Sequence, residues 1–264
     1  MYAFEYHRPK SVADAAALLA KSQGKVMAGG QSLVGAMKLR LASPGTVIDL
    51  GEVSELRGIK KDGNNIVIGA TTPHAEVAAS ADVKKNIPAL AALAEGIGDR
   101  QVRNMGTIGG SIANNDPAAD YPAGVLGLGA TVQTNKRKIT ADDFFKGMYE
   151  TALQPDEIIT AVSFPIPKRA AYIKFHNPAS RFALVGVFVS QGDGGVRVAV
   201  TGAASSVFRM GPMEQALAKN FSPDAVKSVK VSASTLNSDL HASAEYRAHL
   251  IGVLVARAVA QAGK

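Results

Sequence analysis

Two glycine-rich loops hold the residues whose types and spacing point to ligand chemistry. The first loop reads Ala28-Gly29-Gly30-Gln31-Ser32, and the second reads Thr107-Ile108-Gly109-Gly110-Ser111. A Gly-Gly pair allows positive φ and removes the Cβ atoms that would hold a ligand away from the backbone. Successive N–H groups can then converge on one anion. One such loop is equally consistent with a structural turn. Two of them predict one pyrophosphate that is bound from two sides.

Several other chemistries are excluded by missing motifs. The sequence contains no G-x-G-x-x-G fingerprint and no Gly-Lys-Ser/Thr of a P-loop. Its five histidines lack the spacing of a metal site, and no serine stands in a G-x-S-x-G context. We therefore predict neither a Rossmann-type nucleotide site, nor a metal centre, nor a serine hydrolase.

The amino-acid composition narrows the possible classes of protein further. The 264 residues include no cysteine, so this chain can supply no thiolate ligands to an iron–sulfur cluster and no cysteinyl link to a cofactor. The formal net charge is +7, but the basic residues form only short clusters without interleaved aromatics, which favours solvated surface over a nucleic-acid interface. Residues 1–22 do not read as a signal peptide, and no apolar stretch of about 18 residues occurs, so we expect a cytoplasmic protein without a membrane span.

The order of predicted elements suggests three modules. Residues 1–55 read as a β–α–β–β unit that contains the first loop, and residues 56–168 contain the second loop. Pro165 and Pro167 mark a boundary. Over 171–264 the pattern predicts three strands, at 171–175, 183–190 and 196–201. From about Met213 onward it predicts helices.

The segment after the second loop adds a carboxylate pair, Asp116 and Asp120. We predict that Asp116 caps a helix that begins at Pro117, because aspartate is a favoured N-cap and proline fits the first helical position. The residues alone leave one other role open for a carboxylate of this pair, which is to accept hydrogen bonds from the ribose hydroxyls or the adenine amine of a nucleotide.

Six segments together resemble one known family. They are residues 4–11, 28–33, 37–40, 101–111, 115–120 and 243–247. The chain resembles the medium, FAD-binding subunit of the molybdenum hydroxylases, a group that includes aerobic carbon monoxide dehydrogenase and the flavin domain of xanthine dehydrogenase. The resemblance extends over nearly the whole chain. It implies an α+β fold, with a para-cresol methylhydroxylase-type FAD-binding domain of two subdomains and a C-terminal domain of three-stranded sheet and helices.

The same resemblance implies roles for individual residues. The backbone of residues 28–32 and 107–111 would hold the pyrophosphate, and Asp120 would meet the ribose or adenine end. Ile97 and Ile159 match apolar positions that pack on the cofactor, and His176 stands where several relatives carry a basic residue, often lysine. The full predicted set for FAD is Ala28, Gly29, Gly30, Gln31, Ser32, Leu33, Ile97, Thr107, Ile108, Gly109, Gly110, Ser111, Ala113, Asp120, Ile159 and His176.

The resemblance also implies that the cofactors are distributed over three different chains. FAD would be bound non-covalently here, whereas the [2Fe-2S] clusters would lie in a small partner subunit and the molybdenum cofactor in a large one, assembled as a dimer of heterotrimers. No residue of this chain need act on the organic substrate. Two alternatives stay open, namely a stand-alone flavoenzyme with the same FAD domain and a non-enzymatic nucleotide-binding module. The sequence determines neither the substrate of the complex nor its electron acceptor.

Overall fold

The computed structural model describes residues 1–263. The N-terminal part is a small parallel sheet with two helices. Its elements are β1 (Glu5–His7), α1 (Val12–Ser22), β2 (Lys25–Met27), α2 (Leu33–Lys38) and β3 (Thr46–Asp49). The strand order is β1-β3-β2, and β3 is buried along its whole length. Helix α1 begins at the predicted cap, because the Ser11 hydroxyl accepts a hydrogen bond from the backbone N–H of Asp14.

The second part combines helices with a five-stranded antiparallel sheet of order β4-β5-β10-β6-β7. Its first elements are β4 (Ile59–Asp62), β5 (Asn65–Gly69), α3 (His74–Ala79), α4 (Ala81–Asn86), α5 (Pro88–Glu95), α6 (Arg100–Met105), α7 (Ile108–Asn114) and α8 (Tyr121–Leu128). They are followed by β6 (Thr131–Thr134), β7 (Lys138–Thr140), α9 (Ala141–Phe144), β8 (Phe145–Gly147), β9 (Glu150–Thr151) and β10 (Ile159–Pro165). Strands β8 and β9 form a separate hairpin.

The C-terminal part is a sheet covered by helices. Its elements are β11 (Arg169–His176), β12 (Ala183–Gly192), β13 (Gly195–Thr201), β14 (Phe208–Arg209), α10 (Gly211–Lys219), α11 (Pro223–Lys227) and α12 (Ala244–Ala262). The sheet has four strands rather than the expected three, because the two-residue strand β14 pairs with β13. The helical prediction from Met213 onward is also too broad. Residues 228–243 form neither helix nor strand and separate α11 from α12.

The C-terminal sheet is buried on both faces, which explains the unbroken apolar sequence of β12. Phe188 on one face packs in the same core as α8, and Val187 and Val189 on the other face pack in the core that includes α12. Helix α8 can approach the sheet closely because a Cβ on Gly127 would lie 2.8 Å from the Phe188 ring. The sheet therefore connects the core of the second part to the C-terminal helices.

Candidate functional site

The structure brings the two glycine loops into direct contact. The first loop lies between β2 and α2, whereas in the second Thr107 caps the N-terminus of α7 and residues 108–111 form its first turn. A Cβ on Gly29 would lie 1.9 Å from the carbonyl oxygen of Met105, so only glycine allows this approach. A Cβ on Gly110 would lie 4.0 Å from the Ala28 side chain. The first loop thus lies against residues that come more than 70 positions later in the sequence, and the two segments line one candidate cleft.

The first loop presents free hydrogen-bond donors. Gly30 has a φ of +72°, and the chain then turns directly into α2. Within residues 1–263, the backbone N–H groups of residues 29–33 have no acceptor. The Ser32 hydroxyl makes no capping bond, and Gln31 and Ser32 are exposed. A row of unsatisfied N–H groups at an exposed helix N-terminus is a suitable environment for a phosphate.

The backbone N–H groups of the second loop were expected to be free for the pyrophosphate, but residues 108–111 donate theirs to acceptors within the protein. The Ile108 N–H donates to the Thr72 carbonyl at 3.3 Å, and the Gly109 N–H donates to the Ala70 carbonyl at 2.9 Å. The Gly110 N–H donates to Thr107 Oγ1 at 3.2 Å, and the Ser111 N–H donates to the Thr107 carbonyl. These four donors stabilise the cap of α7 and the contact with the segment after β5. The exposed Gly110 backbone and the half-buried Ser111 hydroxyl remain available on the cleft side.

The remaining predicted residues of this region differ in exposure. Ile108 is buried in the core of the second subdomain, and Ala113 is exposed on α7. Ile97 is half-buried and packs against that core, whereas Ile159 is buried in β10 with 5% of its surface exposed. An FAD contact by Ile159 therefore requires that the cofactor reach its backbone or its small exposed edge.

Asp120 lies in a buried network at the junction with the C-terminal sheet. Its carboxylate accepts hydrogen bonds from the Tyr172 hydroxyl at 2.5 Å and from Lys174 Nζ at 3.0 Å. The side chains of Asp120 and Lys174 are both 5% exposed. Burial raises the pKa of Asp120, and the Lys174 ammonium group opposes that increase. Lys174 Nζ also donates to the Gly96 carbonyl at 3.3 Å, one residue before Ile97.

Lys174 belongs to this network, and the sequence reasoning missed it. Tyr172, Lys174 and His176 alternate along β11 and therefore share one face of the strand. That period of two was the signal that could have drawn attention to Lys174 together with His176. His176 itself is exposed, and its Nδ1 lies 3.3 Å from the Arg181 carbonyl. Its charge, when present, lowers the pKa of Asp120, so it belongs to the periphery of the same network.

Asp116 has a capping role at a different place from the one predicted. Its Oδ1 accepts a hydrogen bond from the Ala118 N–H at 2.9 Å and so stabilises a turn at Pro117. Helix α8 begins only at Tyr121, with Asp120 at the N-cap position and Pro122 in its first turn. Asp120 is drawn away from capping by Tyr172 and Lys174, which lie more than 50 residues later in the sequence.

Across residues 1–263, no group of three or more histidine and carboxylate side chains is arranged to hold a metal ion. No helix in this described range is long and apolar enough to cross a membrane.

Comparison with known proteins identifies the family. A family model described as "FAD binding domain in molybdopterin dehydrogenase" matches residues 2–167. The nicotine 6-hydroxylase medium subunit of Paenarthrobacter nicotinovorans is 38% identical over 99% of this chain and 98% of its own. The carbon monoxide dehydrogenase medium chain of Hydrogenophaga pseudoflava is 36% identical over 97% of this chain and 96% of its own.

A solved structure of carbon monoxide dehydrogenase from Hydrogenophaga pseudoflava, in a form that lacks the Mo-pyranopterin moiety, superposes with a TM-score of 0.88. The two chains are 34% identical, and the match covers 99% of this chain and 98% of the other. The chain therefore belongs to the family of FAD-binding domains in molybdopterin dehydrogenases. It is an FAD-binding medium subunit of the molybdenum hydroxylase type, as the sequence motifs predicted, and the stand-alone flavoenzyme is the disfavoured alternative.

Proposed function

We propose that this chain binds one FAD non-covalently in the cleft between its glycine loops and transfers electrons from an iron–sulfur partner to an external acceptor. The observation that supports this proposal is the row of unpaired N–H groups at residues 29–33, which faces the glycine-lined second loop. A dinucleotide pyrophosphate carries two negative charges and fits such a cradle. FAD, when bound, supplies the redox chemistry, and the protein supplies position and electrostatics.

The proposed roles follow the geometry of each residue. Residues 28–33 donate backbone hydrogen bonds to the pyrophosphate, and Ser32 adds its hydroxyl group. Residues 107–111 and Ala113 form the opposite wall, where Ser111 supplies a hydroxyl rather than a backbone donor. Ile97 and Ile159 give apolar contacts. Asp120, Lys174 and His176 form the polar end of the cleft at the C-terminal sheet, and the first two also hold the turn before Ile97 in place.

Non-covalent attachment is expected because the chain contains no cysteine and because Gln31 follows the first Gly-Gly pair. Acid precipitation of the purified yellow protein should release the chromophore into the supernatant, where chromatography and mass identify it as FAD at one equivalent per chain. Chromophore that stays in the pellet, or a supernatant that contains FMN, contradicts the proposal. A protein that never carries flavin, even in its assembled complex, supports the non-enzymatic binding module instead.

We further propose that the partners are a small subunit with two [2Fe-2S] clusters and a large subunit with the molybdenum cofactor, assembled as a dimer of heterotrimers. The medium-chain relatives support the presence of partner subunits, since their names make them parts of carbon monoxide dehydrogenase and nicotine 6-hydroxylase. Substrate selection then belongs to the large subunit, and either a quinone, NAD or oxygen accepts the electrons. A cytoplasmic location is part of the same proposal.

One surface is suited to contact the iron–sulfur subunit. Exposed apolar side chains concentrate in two segments, residues 1–6 and 39–41, which meet where the Arg40 guanidinium lies 5.2 Å from the centre of the Tyr2 ring. Leu39 and Leu41 are 72% and 79% exposed. Residues 39–41 of this patch directly follow α2, which begins immediately after the first glycine loop. An electron donor to the bound flavin must dock beside that cleft.

The double substitution Leu39→Ser and Leu41→Ser should therefore weaken assembly with the iron–sulfur chain while leaving the isolated fold intact. Removal of two exposed apolar side chains takes hydrophobic area from the contact but none from the core. Co-expression followed by size-exclusion chromatography gives the readout, and Leu240→Ser, at a residue 90% exposed in the C-terminal domain, is the control. Full retention of the iron–sulfur chain by the double variant, or loss of the large subunit alone, contradicts this placement.

A further inference from the structure

His74 occupies an unusual position behind the second glycine loop. It begins α3 and is only 5% exposed. Its backbone N–H donates to the Gly106 carbonyl at 2.9 Å. A Cβ on Gly106 would lie 2.7 Å from the imidazole Nε2, so the ring packs directly against the Gly106 backbone. The imidazole thus supports the turn between α6 and α7 from the side opposite to the cleft.

The contacts of this turn extend to the first loop. Met105 precedes Gly106, and its carbonyl oxygen fills the space that a Cβ on Gly29 would occupy. Gly29 is in turn the first residue of the row with unpaired N–H groups. A continuous line of van der Waals contacts therefore runs from His74 through Gly106 and Met105 to Gly29. The position of the imidazole sets how closely the two loops approach each other.

The imidazole shares its buried site with a second polar group that lacks a partner. The His74 and Tyr121 ring centres are 5.2 Å apart. Within residues 1–263, His74 Nδ1 and the Tyr121 hydroxyl both lack a hydrogen-bond partner, and Tyr121 is fully buried in the core of the second subdomain. Unpaired polar atoms in a core are costly. An aliphatic side chain would fill this site without that cost, so packing alone does not account for an imidazole here.

Only the neutral form of His74 is compatible with these surroundings. Burial, together with the nearby Arg103 guanidinium on α6, lowers the pKa of His74 from 6.5 to about 4. Tyr121 on α8 is the other titratable group in contact with the ring, and burial raises the pKa of its phenol. No carboxylate is among the described groups that act on the imidazole. A protonated His74 would therefore carry an uncompensated charge against the loop.

We propose that His74 is a positioning residue for the cofactor cleft: its neutral ring sets the spacing of the two glycine loops, and its protonation opens the second loop and releases FAD. The proposal rests on the proposed FAD site. Linkage gives the sign of the pH dependence. His74 binds a proton more readily in the open state than in the closed state, so a fall in pH from about 6.5 to about 4 favours the open state. The change in FAD affinity over that window is expected to be of order 100-fold.

The test measures FAD release from the holoprotein by the rise in free-flavin fluorescence between pH 7.5 and 4, with unfolding followed in parallel by far-UV circular dichroism. The wild-type protein is expected to release FAD before it unfolds. His74→Phe keeps a ring of similar size without a titratable group, so it should bind FAD at pH 7.5 and shift the release midpoint at least one pH unit lower. His74→Ala removes the support and should weaken FAD binding at least tenfold at every pH, whereas His249→Ala at an exposed position should not.

Several results would overturn the inference. They are a His74→Phe variant with the wild-type release midpoint, a His74→Ala variant with wild-type affinity at pH 7.5, and wild-type release that merely coincides with unfolding. A wild-type protein that binds no FAD at pH 7.5 is a different outcome, because it contradicts the proposed function before the role of His74 is reached.

Discussion

Replacement of Gly30 by valine is expected to abolish FAD retention, with a loss of flavin to below one-tenth of the wild-type occupancy. Gly30 has a φ of +72°, a conformation that a β-branched residue adopts only under strain. Its new Cβ would also lie 3.0 Å from Val34 Cγ2 at the start of α2. The strain can be relieved only by a rearrangement of residues 29–33. That rearrangement would move their N–H groups out of the positions in which they can bind one pyrophosphate.

The flavin-to-protein absorbance ratio of the purified, folded protein measures this effect. Gly63→Val is the matched control, because Gly63 has a φ of +56° and open space around it in the turn between β4 and β5. It adds the same kind of backbone strain far from the cleft and should leave flavin occupancy unchanged. Gly110→Val should also lower occupancy, since its Cβ would lie 2.9 Å from Thr107 Oγ1 at the cleft wall. Full flavin occupancy in folded Gly30→Val protein would disprove the proposal that residues 29–33 bind the pyrophosphate.

Lys174→Met is expected to lower the free energy of unfolding by about 3–5 kcal/mol, because it removes the cation from a buried ion pair and leaves its partner uncompensated. Asp120 and Lys174 are each 5% exposed at the side chain. Without the ammonium group, only the Tyr172 hydrogen bond and the His176 charge oppose the effect of burial on Asp120, so its pKa rises further. The variant also frees the Gly96 carbonyl, so the turn before Ile97 loses its connection to β11.

Chemical denaturation at pH 7 provides the measurement. Lys168→Met is the control, because Lys168 pairs with Asp193 at 3.6 Å on the surface, with side chains 72% and 81% exposed. Such an exposed pair contributes about 0–1 kcal/mol. The double variant Asp120→Asn and Lys174→Met should be more stable than Lys174→Met alone, since it removes the orphaned carboxylate. Equal stability of Lys174→Met and Lys168→Met would show that the network is not a buried ion pair.

Much of the identity of this protein was determined by short local patterns. The two Gly-Gly loops, the absence of cysteine and the family-like segments at both ends led to an FAD-binding medium subunit, and the family comparison confirms it. The N-cap at Ser11 and the buried strand at residues 183–190 were also readable, because each depends on neighbouring residues or on a run of one residue type.

The structure adds what the sequence did not show where distant residues compete for the same group. Asp120 looked like a free ligand carboxylate, but Lys174 and Tyr172 from β11 bind it first. The second glycine loop looked like a symmetric counterpart of the first, yet its N–H groups are taken by Ala70, Thr72 and Thr107. A two-residue edge strand and a long irregular segment before α12 left too weak a periodic signal to be predicted.

The sequence by itself thus determined the class of cofactor and predicted the two loops that we propose bind it, because glycine at these spacings has a local backbone consequence. The tertiary structure decided which of the two loops keeps its donors free, which lysine neutralises Asp120, and that His74 stands behind the cleft. Each of these depends on hydrogen bonds and packing between segments from 30 to more than 50 residues apart. No periodicity in the chain encodes such pairings, since they exist only once the subdomains have folded against one another.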